Sequence, residues 1–225
     1  MTLGRPRLHL RETTSTNDRA RELAARGAPH GTIVTAGVQT AGRGRQGRTW
    51  TAPPGSSLLL SLILRSSDEL LPLRAGLAVA DLAGPAARVK WPNDVLVDGR
   101  KLAGILAEAR PQEGWTVVGI GLNAALNVDD LPPDLRGTAA SLGRAPGELE
   151  AVLGTLLESL TRWLAAPAGE VIAALRGRDA LLDQRVAWNG GDGVGTGIDG
   201  TGRLLVRRAD GSETVLDAGE VHLLR

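Results

Sequence analysis

The two lysines of this 225-residue sequence, Lys90 and Lys101, lie in one short block that spans residues 90–104. The sequence has 26 basic residues, and all the others are arginine. Since the composition favours arginine everywhere else, this pattern suggests that the ammonium group itself is needed here. An ammonium is a compact charge on a flexible stem that can reach a single anionic oxygen, whereas a guanidinium is broad and planar. The block therefore predicts part of an anion site.

The residues around these lysines predict a turn that brings polar groups together. Pro92 favours an extended backbone at Trp91, and Asn93 and Asp94 are typical turn residues. The dipeptide at 98–99 is a strong hairpin signal, which would return Lys101 alongside them. The alternative is that Asn93 and Asp94 serve only the turn and that Lys101 is a surface charge on an edge strand. This segment alone leaves both interpretations open.

A second segment, residues 42–48, alternates glycine with Arg43, Arg45 and Arg48. It matches the G-x-G-x-x-G pattern of dinucleotide-binding proteins, but that pattern requires a helix directly after it, and prolines stand at 53–54. Glycines allow the backbone to close over a ligand, and guanidinium groups bind phosphate or carboxylate oxygens. The alternatives are an RNA-binding Gly-Arg tract and a solvated loop.

Two further segments are less specific. Residues 119–124 again mimic the dinucleotide pattern, but 124–133 make a poor helix, so Asn123 is either a ligand for a nucleobase or ribose edge or an ordinary turn amide. Residues 13–17 place hydroxyls and an amide at a helix start, where capping is the simplest role. The sequence contains no P-loop, no serine-nucleophile motif and no metal-binding histidine spacing.

The composition limits the classes of function. A net charge of +1 gives no general attraction to nucleic acids or membranes, although residues 23–67 contain five arginines and no acidic residue. The absence of cysteine excludes disulfides, thiolate metal sites and cysteine nucleophiles. The N-terminus lacks the apolar stretch of a signal peptide, and no run of membrane-spanning length follows. We expect a cytoplasmic protein that does not bind membranes.

Periodicity and turn signals predict alternating helices and strands followed by a small β domain. The predicted helices span 17–26, 73–82, 148–165 and 168–175. The predicted strands span 32–36, 57–64, 89–91, 95–97, 101–109 and 116–120. Residues 39–50 and 127–136 are predicted loops, the first of them mobile. From about Gln184, short strands at 185–188, 203–208 and 213–224 flank a glycine-rich stretch at 189–202.

Five segments, taken in order, resemble the motifs of the biotin protein ligase family, the biotin–[acetyl-CoA-carboxylase] ligases. They are 14–17, 39–48 with Trp50, 90–94, 101–106 and 119–123. The resemblance implies an α+β fold: a central mixed β-sheet flanked by helices, of the class II synthetase-like or biotin–lipoate ligase type, with a C-terminal SH3-like β-barrel. It implies a catalytic domain at 1–180 and a C-terminal domain at 181–225.

The resemblance also implies a two-step reaction. Biotin attacks MgATP to give biotinyl-5′-AMP, and a lysine of a biotin carboxyl carrier protein, part of acetyl-CoA carboxylase, then receives the biotinyl group. The catalytic residues it implies are Lys101 and Arg45. The implied biotin-binding residues are Ser15, Thr16, Asn17, Gln39, Arg43, Gly44, Arg45, Trp50, Lys101 and Gly104. The implied ATP-binding residues are Arg43, Arg45, Arg48, Trp91, Asn93, Asp94, Lys101 and Asn123.

By the same resemblance, Asp94 orients Lys101 or a metal-bound water, and the Mg²⁺ ligands are unknown. Few residues precede the first motif, so we expect no DNA-binding domain and no binding of DNA. The sequence leaves the oligomeric state open, with a homodimer among the options. The rival functions are a lipoate–protein ligase, disfavoured by the polar groups at 15–17, and an RNA-binding module, disfavoured by the net charge of +1.

Overall fold

A computed structural model describes residues 3–224, without the side chain at position 134. Its larger sheet has seven strands in the order β1-β2-β3-β7-β6-β5-β4. β1 and β2 are parallel and all other neighbours are antiparallel, so the sheet is mixed. The strands are β1 (Arg7–Thr13), β2 (Ile33–Gln39), β3 (Leu58–Leu64), β4 (Ala87–Lys90), β5 (Asp94–Val97), β6 (Arg100–Arg110) and β7 (Trp115–Leu122).

Helices cover both faces of this sheet. The helices are α1 (Thr16–Ala25), α2 (Leu71–Ala83), α3 (Pro133–Arg136), α4 (Leu149–Ala165) and α5 (Ala168–Gly177). The main core lies between the sheet and α2, α4 and α5, and it includes Leu60, Leu77 and Leu156. A smaller cluster packs α1 against the opposite face, through Ala20 and Ala24. Among residues 3–224, no helix is both long enough and apolar enough to cross a bilayer.

The second sheet is antiparallel and has five strands in the order β11-β10-β9-β8-β12. Its strands are β8 (Arg185–Trp188), β9 (Gly191–Ile198), β10 (Leu204–Arg207), β11 (Glu213–Leu216) and β12 (Val221–Leu223). The segment that leads into it pairs with β4, because Val89 N donates to Arg178 O and Ala180 N donates to Val89 O. The Trp91 indole also donates to Gly202 O at 3.0 Å. The two sheets are therefore joined next to the strand that carries Lys90.

The predicted α+β fold, with a mixed sheet and a C-terminal β region, is confirmed. Two strands were not predicted. β1 is mostly exposed and largely polar, and it forms by pairing with β2. β9 lies within the glycine-rich stretch. Its glycines are needed because other backbone atoms approach this strand closely. A Cβ at Gly193 would lie 2.5 Å from Arg207 O, and one at Gly195 would lie 2.2 Å from Leu181 O.

A glycine in the middle of α4 gives a prediction for stability. Gly154 is exposed, and a Cβ built there meets no atom within 4 Å. Gly154→Ala should therefore raise the free energy of unfolding by about 0.5–1 kcal/mol, because alanine loses less conformational freedom in a helix. Urea denaturation at constant m-value measures this change. An unchanged or lower midpoint would contradict it.

Candidate active site

One cavity brings together residues from all five of the motif segments. It opens between the start of α1, the segment 43–50 (here the arginine loop), the end of β4, strands β6 and β7, and residues 219–221. The predicted site residues that line it are Ser15, Thr16, Asn17, Gln39, Arg43, Gly44, Arg45, Arg48, Trp50, Trp91, Asn93, Asp94, Lys101 and Gly104. Lys90 lines it as well.

The side chain of Asn17 packs on the sheet above three paired residues from neighbouring strands: Ser61, Gly119 and Leu106. Ser61 pairs with Gly119, and Gly119 pairs with Leu106. A Cβ at Gly119 would lie 2.1 Å from Asn17 Oδ1, so only glycine leaves room for this side chain. Ser61 Oγ donates to Asn17 Oδ1 at 2.6 Å, and Asn17 Nδ2 donates to the Glu108 carboxylate at 2.7 Å. The amide of Asn17 is thus held at both ends.

Trp50 lies over the next row on the same face of the sheet. Residues two apart in a strand share a face, and here Gly121 pairs with Gly104, which pairs in turn with Asp94. A Cβ at Gly121 would lie 2.5 Å from Cε2 of Trp50, and one at Gly104 would lie 3.2 Å from its Cζ3. The two glycines form a flat floor for the indole. Both glycines of the pattern at 119–124 therefore lie in strand β7, so they do not form a dinucleotide-binding loop.

The hydroxyls at the start of α1 face the cavity instead of capping the helix. Ser15 occupies the N-cap position without a side-chain capping bond. Gln39 Oε1 accepts from the backbone N of Thr16 at 2.7 Å and from its hydroxyl at 3.0 Å. The Thr16 hydroxyl also lies 2.8 Å from Ser61 Oγ. Thr16 and Ser61 are buried, and together with the half-buried Gln39 they are linked by these contacts, so the orientations of these three side chains are fixed before a ligand arrives.

The two lysines lie at the other end of the cavity. Lys101 Nζ is 2.8 Å from Asp94 Oδ1 and 5.7 Å from the ring centre of Trp50. Burial lowers the pKa of Lys90, and this outweighs the opposing effect of the nearby Asp94 carboxylate. Burial also lowers the pKa of Arg45, but a guanidinium stays charged at any physiological pH. Asp94 is thus close enough to orient Lys101, and its role, whether towards this lysine or towards a metal-bound water, stays a prediction.

The arginine loop contacts three different parts of the molecule. Arg45 donates to Asn93 Oδ1 at 3.1 Å and to Gly219 O at 3.1 Å. Arg48 forms an ion pair with Glu220. Arg43 Nε lies 3.2 Å from Asp18 on α1. The loop thus connects α1, the turn after β4 and the C-terminal sheet across the mouth of the cavity.

Two of the predicted nucleotide ligands have other partners. The side chain of Asn123 is buried outside the cavity lining; it donates to Ala140 O at 3.1 Å and accepts from Ser57 Oγ at 3.3 Å. Its amide is thus bonded to backbone and core groups, and its contact with adenine stays a prediction. Trp91 is only 3% exposed, and its indole nitrogen is bonded to Gly202 O, so it offers the cavity little more than a ring edge.

Sequence reasoning missed several residues of the site. Gly219, Glu220 and Val221 come from the end of the C-terminal sheet, and nothing in the sequence indicates that they reach this cavity. Glu108 likewise has no local signal. Ser61 does have one, since it is the single polar residue of the otherwise apolar strand β3 and is fully buried. A lone buried hydroxyl of this kind requires a partner.

The cavity suits a magnesium ion that arrives with phosphates better than a metal bound by protein alone. Within residues 3–224, no cluster of three or more His, Asp or Glu side chains could hold a metal. The carboxylates in the lining are Asp94 and Glu220. Mg²⁺ commonly binds through one or two carboxylates together with substrate phosphates and water. Asp94 and Glu220 are therefore the residues that would hold it.

Comparisons with known proteins identify the family of this chain. A family model described as the biotin/lipoate A/B protein ligase family matches residues 10–124. The Bacillus spizizenii bifunctional ligase/repressor BirA is 42% identical over 147 residues, which cover 60% of this chain and 45% of that protein. This chain therefore matches less than half the length of that relative.

Two further matches cover nearly the whole chain. The biotin–[acetyl-CoA-carboxylase] ligase of Mycobacterium tuberculosis is 37% identical over 238 aligned residues, covering 95% of this chain and 87% of that protein. The structure of Aquifex aeolicus biotin protein ligase in complex with biotin and ATP superposes with a TM-score of 0.83 at 27% identity, covering 98% and 99% of the two chains. On these matches, the chain belongs to the biotin/lipoate A/B protein ligase family.

Proposed function

We propose that this protein is a biotin protein ligase. It activates biotin with ATP to form biotinyl-5′-AMP and transfers the biotinyl group to a lysine of a biotin carboxyl carrier protein of acetyl-CoA carboxylase. The observation that carries the proposal is a single cavity with a neutral polar end at Asn17 and Gln39 and a cationic end at Lys101 and Arg45, separated by the Trp50 indole. Biotin has the same order of groups: a ureido ring, a hydrocarbon tail and a carboxylate.

The polar end complements a cyclic urea. Gln39 uses its oxygen to accept from Thr16, which leaves its NH₂ group to donate to a ligand carbonyl. Asn17 commits its NH₂ group to Glu108, which leaves its oxygen to accept from a ligand N–H. A site built from such committed groups discriminates strongly against a ring that lacks matching donors and acceptors. These contacts favour a ureido ring over the dithiolane of lipoate.

The cationic end supports the first chemical step. When the biotin carboxylate attacks the α-phosphate of ATP, two anions approach each other and negative charge builds up on the phosphate oxygens. In this proposal Lys101 and Arg45, which both line the cavity, stabilise that charge, and the nearby Asp94 positions Lys101. Asp94 and Glu220 would hold a magnesium ion that arrives with the triphosphate, and such an ion would neutralise further charge. The bond from phosphorus to the β-phosphate oxygen breaks, and pyrophosphate leaves.

In the second step the carrier lysine attacks the carbonyl carbon of biotinyl-AMP and AMP leaves with its electron pair. The mixed anhydride must be shielded from water and from other amines until then. The arginine loop provides this shield, because Arg45 joins Asn93 to Gly219 across the mouth of the cavity. Closure of the site thus depends on both sheets.

Arg45→Gly should release biotinyl-AMP and label bystander proteins. The substitution removes both cross-cavity hydrogen bonds, while the glycine floor beneath Trp50 and the Asn17 amide remain. Mass spectrometry of added serum albumin should show biotinylated lysines with the variant and none with the unmodified protein. If the variant labels only the carrier domain, Arg45 has no part in retaining the intermediate.

Calorimetric titration with biotin and then ATP, followed by mass analysis of a carrier domain, tests the proposed function. We expect binding of both ligands and a mass gain of one biotinyl group. Replacing biotin by lipoate should abolish the gain. Binding of lipoate in preference to biotin would overturn the proposal, as would RNA binding without ATP turnover.

Several further properties accompany this proposal. The catalytic domain spans 1–180 and the C-terminal domain 181–225, supported by the two separate sheets, the second of which starts at Arg185. The protein works in the cytoplasm, where its substrates ATP and carboxylase are present. It does not bind DNA, and a gel-shift assay with biotin-operon operator DNA tests this.

A further inference from the structure

The orientation of the Asn17 amide follows from the chemistry of its neighbours. Two oxygens lie near Asn17 Nδ2: Glu108 Oε2 at 2.7 Å and the Leu106 carbonyl oxygen at 3.4 Å. A carboxylate and a carbonyl both accept hydrogen bonds and cannot donate them. On the opposite side, Ser61 Oγ is 2.6 Å from Oδ1 and can donate. The NH₂ group must therefore face Glu108, and the oxygen must face Ser61 and the cavity.

Glu108 itself is held outside the cavity. Its other oxygen accepts from Arg21 at 2.7 Å, and the side chain of Glu108 is 23% exposed. It does not line the cavity that holds Asn17 and Gln39. Glu108 lines instead an adjoining pocket beneath the arginine loop. It is the strongest acceptor next to the Asn17 amide, since hydrogen bonds to a carboxylate are stronger than those to a carbonyl.

We propose that Glu108 is a positioning residue for biotin: by binding the NH₂ group of Asn17 it forces the amide oxygen towards the ligand, so that the site accepts an N–H group at this point. This inference rests on the proposed function. Without Glu108, the amide can rotate about its last bond and present a donor where the ureido ring also carries a donor. The site would then lose a hydrogen bond and bring two donors together.

The first test compares removal of each partner of the Arg21–Glu108 ion pair. Glu108→Leu should raise the Kd for biotin about tenfold or more. The Kd for ATP should change less than about threefold, because no contact of Glu108 reaches the cationic end of the cavity. Arg21→Leu is the matched control, since it breaks the ion pair but keeps the bond to Asn17. Equal losses of biotin affinity in both variants would show a purely structural role and overturn the proposal.

The second test exchanges the two functional groups. Asn17→Asp places a carboxylate beside that of Glu108 and should weaken biotin binding severely. Adding Glu108→Gln should lower the Kd for biotin again by at least about tenfold, because the new amide donates to the carboxylate at position 17 and accepts from Arg21. A double variant no better than Asn17→Asp alone would refute the pairing.

Calorimetry with biotin alone separates this inference from the proposed function. If the unmodified protein does not bind biotin, the proposed function is wrong. If it binds biotin and Glu108→Leu binds it equally well, only the role of Glu108 is wrong.

Discussion

Lys101→Met is expected to lower the rate of biotinyl-AMP formation by about 10²-fold or more, the cost of losing one preorganised charge donor. Methionine keeps an unbranched stem to pack on Trp50 and Gly104, so the loss isolates the ammonium group. Biotin affinity should fall much less than the rate, because the polar end of the cavity, at Asn17 and Gln39, is unchanged. Release of labelled pyrophosphate under single-turnover conditions measures the step.

Arg100→Met provides the matched control for the lysine variant. Arg100 neighbours Lys101 on the same hairpin, its side chain is 44% exposed, and its only charged partner within residues 3–224 is Asp98, at 3.9 Å. It lies outside the cavity lining, so its loss should change the rate by less than about twofold. Undiminished pyrophosphate release by Lys101→Met would remove Lys101 from the mechanism.

Gly119→Val is expected to reduce biotin affinity by about 10²-fold or more, while the fold is retained. The new Cβ would lie 2.1 Å from Asn17 Oδ1, so the amide must leave its place between Ser61 and Glu108. Several polar groups at the polar end of the cavity would then lose their hydrogen-bond partners together. Each buried group left without a partner costs about 1–3 kcal/mol. Calorimetric titration with biotin measures the loss, and circular dichroism checks the fold.

The control for the glycine variant is Gly154→Ala, at a glycine that has free space around it. It should leave biotin affinity unchanged. Biotin binding by Gly119→Val within about threefold of the unmodified protein would show that Asn17 is not a biotin ligand.

Most of the cavity lining belongs to short motifs that stand out in the sequence, and the family resemblance is what assigns those motifs to one site. Lysine appears only at Lys90 and Lys101 in an arginine-rich chain, and arginines alternate with glycines at 42–48. These residues were predicted to meet, and they line one cavity. Local sequence carried that information because each motif is continuous and each residue type has a specific chemistry.

The remaining features depend on which strands become neighbours, which no local pattern encodes. Gly104 and Gly121 form one floor only because β6 pairs with β7 in one particular register. Glu108 reaches Asn17 across 91 positions of sequence. Asn123 shows the same limit from the other side: the predicted contact of its amide with a nucleotide stays a prediction, while the structure shows that the amide is bonded inside the core. Polarity alone does not distinguish these two roles.

The pairing of residues 178–180 with β4 has a consequence for self-association. β4 is one outer strand of the larger sheet, and Val89 uses its outward-facing backbone groups to bond Arg178 and Ala180. That border is therefore closed to strand addition from another molecule. The opposite border, β1, carries Arg7, His9 and Arg11. Strand addition to the larger sheet must therefore begin at β1, where Arg7 is paired with Glu150 and the charge of Arg11 opposes the approach of a second copy.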